Sequence, residues 1–300
     1  MTYLNRTTYN VKSNAKINLG LNVLEKTEND YHNIDTFMIP IDLYDTLNIS
    51  IYDEDGDIFL KSNNENIPLD DKNTMCRAYK YFFEEIKMPT PKVEIFIEKK
   101  IPQEAGLGGG SSNAAELLKV LNTHYKNILS DDTLIKIGLK VGSDVPFFIK
   151  NRAARVKKMG DEIDAIEGEV PIYNILLIKP KSFGVSTKLA YETFDNLKNV
   201  EVADIDGAIS SFKQKDVSSL VKFAKNNLEQ AILKNNFEME MFKNNLNVIL
   251  GSRNYFMSGS GSTYFTFIDE AEKIWLETRI NTFFDDVEYY FCKNLYNKVV

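Results

Sequence analysis

Residues 101–113 read Ile-Pro-Gln-Glu-Ala-Gly-Leu-Gly-Gly-Gly-Ser-Ser-Asn and hold four of the chain's 15 glycines within five positions. Upstream, Val93, Ile95 and Ile97 recur with the two-residue period of a strand that has one apolar face. Downstream, apolar residues between 114 and 121 follow the period of an amphipathic helix. The order strand, glycine loop and helix start is typical of an anion-binding site.

This glycine loop has the chemistry of a phosphate cradle. Glycines let backbone N–H groups approach a phosphate without an intervening side chain. The first N–H groups of the following helix lack partners and carry the positive end of its dipole. Lys99 and Lys100 add positive charge just before the loop. The segment therefore predicts a nucleoside triphosphate site. A flexible Gly/Ser linker is disfavoured, since linkers do not usually open directly into an amphipathic helix.

Two common phosphate motifs do not fit the loop. A Walker loop needs Gly-Lys-Ser/Thr after its spacer, whereas these glycines are followed by two serines and no lysine. The dinucleotide fingerprint needs a glycine where Ser111 or Asn113 stands. The loop therefore belongs to a different class of phosphate site.

Composition limits the possible partners. A net charge of −7 and a pI near 5.1 argue against nucleic-acid binding. The N-terminus lacks the apolar region of a signal peptide, and no apolar run approaches the ~18 residues of a membrane helix. Two cysteines far apart in sequence favour the reducing cytoplasm. No coiled-coil pattern is present, so a monomer and a weak homodimer both stay open.

The order of elements predicts an α+β protein. A chain of 300 residues exceeds the usual size of a single core, which favours two domains. We place the boundary in the acidic, loop-like region 160–171, giving an ATP-binding domain over 1–168 and a substrate-side domain over 169–300. The active site is expected in the cleft between them.

One lysine and one carboxylate could support phosphoryl transfer. Lys16 lies in an early strand on the same face as Asn18, although a solvated strand edge would show the same pattern. Asp144 follows a Gly-Ser turn and precedes residues 145–149, an apolar run that we predict to be a strand. A carboxylate can accept or orient a hydroxyl proton, and a lysine can stabilise charge on the transferring group.

Other chemistries are poorly supported. The two histidines and two cysteines have no zinc-site spacing, and no nucleophile elbow of the Gly-x-Ser-x-Gly type is present. The pair Tyr31-His32 offers an aromatic face and a hydrogen-bonding ring, but such a pair is more often structural.

Five segments in order resemble the GHMP kinase superfamily of galactokinase, homoserine kinase, mevalonate kinase and phosphomevalonate kinase. They are Ala15-Lys16-Ile17-Asn18-Leu19, Asp30-Tyr31-His32, the glycine loop, Gly142-Ser143-Asp144-Val145-Pro146-Phe147, and Met257-Ser258-Gly259-Ser260-Gly261. Together they are most similar to the branch that phosphorylates a cytidine-diphosphate-linked methylerythritol in the non-mevalonate isoprenoid pathway. The resemblance spans nearly the whole chain and implies a two-domain GHMP-kinase-like fold.

The resemblance also implies roles for individual residues. Asp144 would be the catalytic carboxylate and Lys16 its partner, while Asn18 would help to hold the substrate. Tyr31 would stack on cytosine and His32 would read its hydrogen-bonding edge. The second aromatic that stacks on cytosine would be Phe183 or Tyr191. A further contact with the substrate would come from Lys157 or Lys158. The residues expected to bind ATP are Gly106, Leu107, Gly108, Gly109, Gly110, Ser111, Ser112 and, near the adenine, Asn73.

Magnesium is expected with ATP, held mainly by phosphates and water, because the sequence shows no dedicated carboxylate cage. Ser111 or Ser112 could touch it. Residues 103–105, Gln-Glu-Ala, depart from the small residues that relatives carry at the leading edge of the loop. Two alternatives stay open: another GHMP kinase, of the homoserine or mevalonate type, and a catalytically silent sensor of a nucleotide or metabolite.

Overall fold

The computed structural model describes residues 5–27, 31–197 and 200–296, which form two β-sheets with helices packed against them. The larger sheet contains β1 (Arg6–Lys26), β2 (His32–Asp55), β3 (Ile58–Ser62), β4 (Pro91–Glu98), β5 (Ala154–Lys158) and β6 (Glu162–Ala165). The smaller sheet contains β7 (Asn174–Pro180), β8 (Phe256–Met257), β9 (Tyr264–Ile268) and β10 (Val287–Lys293).

The helices lie in the connections that follow β3, β4, β7 and β9. They are α1 (Thr74–Ile86), α2 (Gly109–His124), α3 (Asp131–Val141), α4 (Val145–Lys150), α5 (Thr187–Phe194), α6 (Ile205–Lys213), α7 (Val217–Phe223), α8 (Asn227–Asn235), α9 (Phe237–Leu250) and α10 (Lys273–Phe283), with a 3-10 turn at Glu270–Glu272. None of the helices in these described ranges is long and apolar enough to cross a membrane.

The strand β2 organises the larger sheet. It pairs with β1 along its length, with β4 near its end and with β5 near its start, giving the order β3-β4-β2-β5-β6 with β1 on β2. The smaller sheet is antiparallel in the order β10-β7-β9-β8. This mixture of sheets and helices confirms the α+β class.

The middle of β1 is buried on both faces. Residues 15–23 are all buried, and their apolar side chains face one hydrophobic core up to residue 19 and a second core from residue 21. Leu21 and Val23 pack in one core with α1 and α2, whereas Ile17 and Leu19 pack in the other with β7 and β9. Because neither face is solvated, a polar residue in this stretch needs a partner inside the protein.

Most predicted elements are present, with one correction. Residues 145–149 form α4, not the strand that their apolar character suggested. All five are buried, and a short buried helix cannot be told from a buried strand by hydrophobicity alone. Asp144 is therefore the residue before a helix. The division at residue 168 stays a prediction; it falls in the connection between β6 and β7.

Candidate active site

The glycine loop leads directly into the start of α2, where the first N–H groups have no partner within the helix. Gly108 is the N-cap residue with φ 72°, so α2 begins at Gly109. A Cβ on Gly108 would lie 2.8 Å from the ring of Phe148 and 3.2 Å from Cγ of Lys16. The N–H of Ser112 is the first to be bonded within the turn, to the carbonyl of Gly108. The helical N–H groups that precede Ser112 therefore face outward and can donate hydrogen bonds to an anion.

A second glycine turn, residues 258–261, packs directly against the glycine loop at Gly106. The Ser258 hydroxyl donates to the carbonyl of Gly106 at 2.9 Å, and a Cβ on Gly106 would lie 2.0 Å from the Ser258 carbonyl oxygen. Asn226, the N-cap of α8, donates to the carbonyls of Met257 and Gly259 at 3.0 and 2.8 Å. The two turns can approach this closely because Gly106 carries no side chain at the contact.

A buried cation lies beside the start of α2. The Lys99 ammonium is 2.6 Å from the carboxylate of Asp45, and a Cβ on Gly109 would lie 2.8 Å from Lys99 Nζ. Asp45 is fully buried and also accepts the N–H groups of Lys100 and Ile101 at 2.8 Å each. Burial lowers the pKa of Lys99, and the neighbouring Asp45 opposes that change. The ammonium of this buried ion pair lies at the start of α2.

The structure brings Lys16 and Asp144 together. Lys16 is 3% exposed, which excludes the solvated strand edge, and its Nζ lies 3.6 Å from Asp144 Oδ2. The same Nζ donates to Asn18 Oδ1 at 2.7 Å. A Cβ on Gly259 would lie 3.1 Å from Lys16 Nζ, so the second glycine turn closes over the lysine. One ammonium and one carboxylate thus meet beside the glycine loop.

Tyr31 and His32 lie where the chain enters β2. The Tyr31 ring is 63% exposed. His32 is held by the end of α5: its Nε2 lies 2.6 Å from Asp195 Oδ1, and its ring lies 5.2 Å from that of Tyr191. Lys26 also contacts Asp195, at 3.5 Å. Asp30, which belongs to the same sequence motif, lies outside the described residues.

Two adjoining cavities connect these groups. The first, here called the loop cavity, has a volume of about 420 Å³ and contains the glycine loop, Lys16, Asn18 and Asp144 in its lining. The second, the tyrosine cavity, has a volume of about 610 Å³ and is lined by Tyr31 and His32. The residues that line both are Ile34, Ser143, Thr187 and Tyr191. Lys16 and Asp144 therefore lie close to the junction of the two cavities.

Four predicted site residues lie outside the linings of both cavities: Ser112, Phe183, Lys157 and Lys158. Ser112 is buried, and Ser13 donates to its hydroxyl at 2.7 Å. Phe183 packs edge-on against Phe242 in the hydrophobic core. Lys157 is paired with carboxylates of β6, at 2.8 Å from Asp164 and 3.3 Å from Glu162.

Asn73 lines the loop cavity, and its side chain also forms hydrogen bonds with backbone groups. It caps α1 by accepting the N–H of Met75 at 2.9 Å, and its amide donates to the carbonyl of Pro68 at 2.7 Å. Of the two aromatic candidates, Tyr191 lines both cavities.

Sequence reasoning missed several residues that shape the site. Asp195, which contacts His32, is 163 positions away in the chain. Thr187 and Ser260 join α5 to the second glycine turn through their hydroxyls at 2.8 Å. Neither pair has a local signature, because each forms only when distant segments pack together. The basic residue Lys99 was visible in the sequence, but its burial against Asp45 was not.

The fold and the site define a small-molecule kinase of the GHMP class. The family model described as GHMP kinases N terminal domain matches residues 73–152, which contain the glycine loop and Asp144. At the level of fold, the crystal structure of a 4-(cytidine 5'-diphospho)-2C-methyl-D-erythritol kinase matches with a TM-score of 0.74 and 24% identity, covering 96% of this chain and 100% of that one. Mevalonate kinase from Methanococcus jannaschii matches with a TM-score of 0.66 and 17% identity, over 96% and 99% of the two chains.

Proteins with similar sequences identify one family within the GHMP kinases. The 4-diphosphocytidyl-2-C-methyl-D-erythritol kinase of Fusobacterium nucleatum is 48% identical over 96% of this chain and 97% of its own length. That of Clostridium acetobutylicum is 37% identical over 90% and 95% of the two chains. The chain belongs to the 4-diphosphocytidyl-2-C-methyl-D-erythritol kinase family.

Proposed function

We propose that this protein transfers the γ-phosphoryl group of ATP to the 2-hydroxyl of 4-diphosphocytidyl-2-C-methyl-D-erythritol, a step of the non-mevalonate route to isoprenoids. The observation that carries the proposal is the pair of cavities that share a wall at Ser143, next to Asp144. A transfer between two bound molecules requires adjoining sites with the reacting groups at their junction.

ATP would occupy the loop cavity. Its phosphates would receive the N–H groups of Gly109, Gly110 and Ser111 at the start of α2, with the buried charge of Lys99 nearby. The remaining loop residues, Gly106, Leu107 and Gly108, would shape the cradle. Asn73 would contribute the edge of the cavity nearer the base. Ser112 would support the loop through its bond with Ser13, not through a contact with ATP.

Cytidine would occupy the tyrosine cavity. The exposed Tyr31 and the ring of Tyr191 on α5 are the aromatic faces available for stacking. His32 follows Tyr31 at the start of β2, with its ring beside that of Tyr191 and a ring nitrogen held by Asp195. Stacking on a pyrimidine and hydrogen bonding to its edge are the usual means of reading a single base. Phe183 and Lys157 are not part of the proposed site, because their side chains are engaged elsewhere.

Asp144 and Lys16 would act on the transferring group. The carboxylate would accept a hydrogen bond from the acceptor hydroxyl and orient its oxygen toward the γ-phosphorus. The ammonium would stabilise negative charge on the phosphoryl oxygens. Because phosphoryl transfer passes through a loose transition state, little proton removal is needed early, and positioning contributes most of the effect.

Magnesium fits the oxygen donors of this site. Among the described residues no group of three or more His, Cys, Asp and Glu side chains could hold a metal ion. The carboxylate of Asp144 and the hydroxyl of Ser111 both line the loop cavity, which suits an ion that prefers phosphate oxygens, water and one or two protein ligands. Bound there, magnesium would neutralise phosphate charge.

An assay of ADP release tests the function. With ATP and magnesium, we expect turnover of 4-diphosphocytidyl-2-C-methyl-D-erythritol and little or none of mevalonate or homoserine. A preference for either of the latter would assign the chain to another GHMP activity. Stabilisation by ligands without ADP release would instead support a sensor. We further propose that the enzyme works in the cytoplasm, consistent with its two buried free thiols, Cys76 and Cys292.

A further inference from the structure

A chain of three hydrogen bonds, all donated in the same direction, begins at the Lys16 ammonium. The Lys16 ammonium donates to Asn18 Oδ1 at 2.7 Å, and Asn18 Nδ2 donates to the Thr36 hydroxyl at 2.9 Å. The Thr36 hydroxyl then donates to the carbonyl of Gly20 at 2.6 Å. Lys16 and Asn18 are each 3% exposed and Thr36 is fully buried, so the chain is shielded from water.

The direction of this chain is fixed by its last member. A threonine hydroxyl has one proton, and here that proton goes to a backbone carbonyl, which can only accept. The hydroxyl oxygen must therefore accept from Asn18, which places the amide nitrogen on that side and the amide oxygen toward Lys16. A reversed amide would set its NH₂ group against an ammonium, two donors with no acceptor between them.

An irregularity in β1 creates this geometry. Asn18 pairs with Met38 and Leu21 pairs with Thr36, so two residues of β1 oppose one residue of β2, which is a β-bulge. Gly20 lies in the bulge at φ 149°, and the following N–H, that of Leu21, bonds to the carbonyl of Lys225. The bulge thereby brings the Gly20 carbonyl within reach of the Thr36 hydroxyl.

We propose that Thr36 is a positioning residue, which holds the Asn18 amide in the one orientation that keeps the Lys16 ammonium beside Asp144. The proposal deepens the proposed function and rests on it, since Lys16 and Asp144 are assigned to the reacting groups there. Without the hydroxyl, Asn18 is free to rotate, and the buried ammonium loses the acceptor that fixes its place.

The test compares two buried threonines that each donate to a backbone carbonyl. Thr36→Val removes the hydroxyl while keeping the side-chain shape, and Thr36→Ser keeps the hydroxyl. The matched control is Thr266→Val, because Thr266 lies on β9, is 2% exposed and donates to the carbonyl of Asn254 at 2.7 Å. Both valine variants should lose thermal stability, and Thr36→Val should lose more, because it also leaves the buried Asn18 amide without its acceptor.

Only the Thr36 variant should lose turnover. We expect kcat of Thr36→Val to fall by about 10- to 100-fold, the range seen when supporting groups are displaced, with KM for ATP changing by less than about threefold. Thr36→Ser should recover most of kcat, and Thr266→Val should keep it within about twofold. Equal kcat in Thr36→Val and Thr266→Val would overturn the proposal.

A double-mutant cycle separates positioning from general damage. Because Thr36 acts through Asn18, the loss of kcat in Thr36→Val combined with Asn18→Ala should be no larger than that of Asn18→Ala alone. Independent, multiplying losses would also overturn the proposal. The wild-type enzyme distinguishes this failure from that of the proposed function: if it does not turn over the cytidine substrate, the assignment of the activity is wrong.

Discussion

The Lys16 ammonium lies 3.6 Å from the Asp144 carboxylate, although 128 positions separate the two residues in the chain. Lys16 comes from the buried middle of β1, and Asp144 precedes α4. The exposures of their side chains differ, at 4% for Lys16 and 27% for Asp144. The carboxylate is therefore the more accessible member of the pair, and in the proposed reaction it is the one that an incoming hydroxyl would reach.

Replacing the carboxylate with an amide should leave binding intact and slow the reaction. We expect Asp144→Asn to lower kcat by ~10²–10⁴-fold, because an amide cannot accept and hold the hydroxyl proton in the same way. ATP affinity, measured by calorimetry, should stay close to that of the wild type. The control is Asp161→Asn in the exposed turn between β5 and β6, which should not change kcat. Near-normal turnover in Asp144→Asn would remove this residue from the reaction.

The exposed tyrosine at the mouth of the second cavity should contribute to substrate affinity. Tyr31→Ala should weaken binding of the cytidine substrate by ~1–3 kcal/mol, as other base–aromatic stacks do. Tyr31→Phe retains the ring and should bind almost normally. Titration calorimetry with each ligand separates the two cavities, since ATP affinity should not change. A loss confined to ATP would show that the cavities are assigned the wrong way round.

Gly106 should tolerate no side chain, for two distinct reasons. It has φ 69°, and an added Cβ would lie 2.0 Å from a backbone oxygen of the second glycine turn. Gly168 provides the matched control, because it has φ 81° with no atom near its added Cβ. Both alanine variants should pay the cost of the left-handed conformation, ~1–2 kcal/mol.

Gly106→Ala should lose more stability than the ~1–2 kcal/mol expected for Gly168→Ala, because its loop must move away from the second glycine turn. For the same reason it should also bind ATP more weakly. Urea unfolding measures the first effect and calorimetry the second. Equal losses in Gly106→Ala and Gly168→Ala would mean that the two turns do not depend on each other.

The buried pair of Lys99 and Asp45 should make stability depend on pH in the alkaline range. Asp45→Asn leaves an uncompensated buried ammonium and should cost roughly 3–5 kcal/mol in free energy of unfolding at pH 7. Burial already lowers the pKa of Lys99, and loss of its counter-ion lowers it further. The folded state then releases its proton before the unfolded state does.

Because the unfolded state binds more protons in that window, stability rises with pH there. The deficit of Asp45→Asn should therefore shrink as the pH approaches the ordinary lysine value of 10.5. Asp131→Asn is the control: it breaks an exposed ion pair with Lys150 and should cost less than about 1 kcal/mol at either pH. A deficit that grows with pH would contradict the role given to Lys99.

The sequence alone was sufficient for features that depend on local patterns. The glycine loop between a strand and a helix and the α+β class follow from the spacing of glycines and apolar residues along neighbouring positions, whereas the GHMP resemblance rests on five motifs in order along the chain. That Lys16 and Asp144 act as a pair is implied by the family resemblance and not by spacing; the structure places their side chains 3.6 Å apart.

Only the tertiary structure decided which of the other polar side chains reach the cavities. Ser112 lies in the glycine motif, yet its hydroxyl is held by Ser13. Periodicity places residues on a strand or helix, but it cannot say whether a polar group faces a cavity or a buried partner. Thr36 and Asp195 gain their roles from contacts across 18 and 163 positions, and such contacts exist only once the sheets and helices have packed.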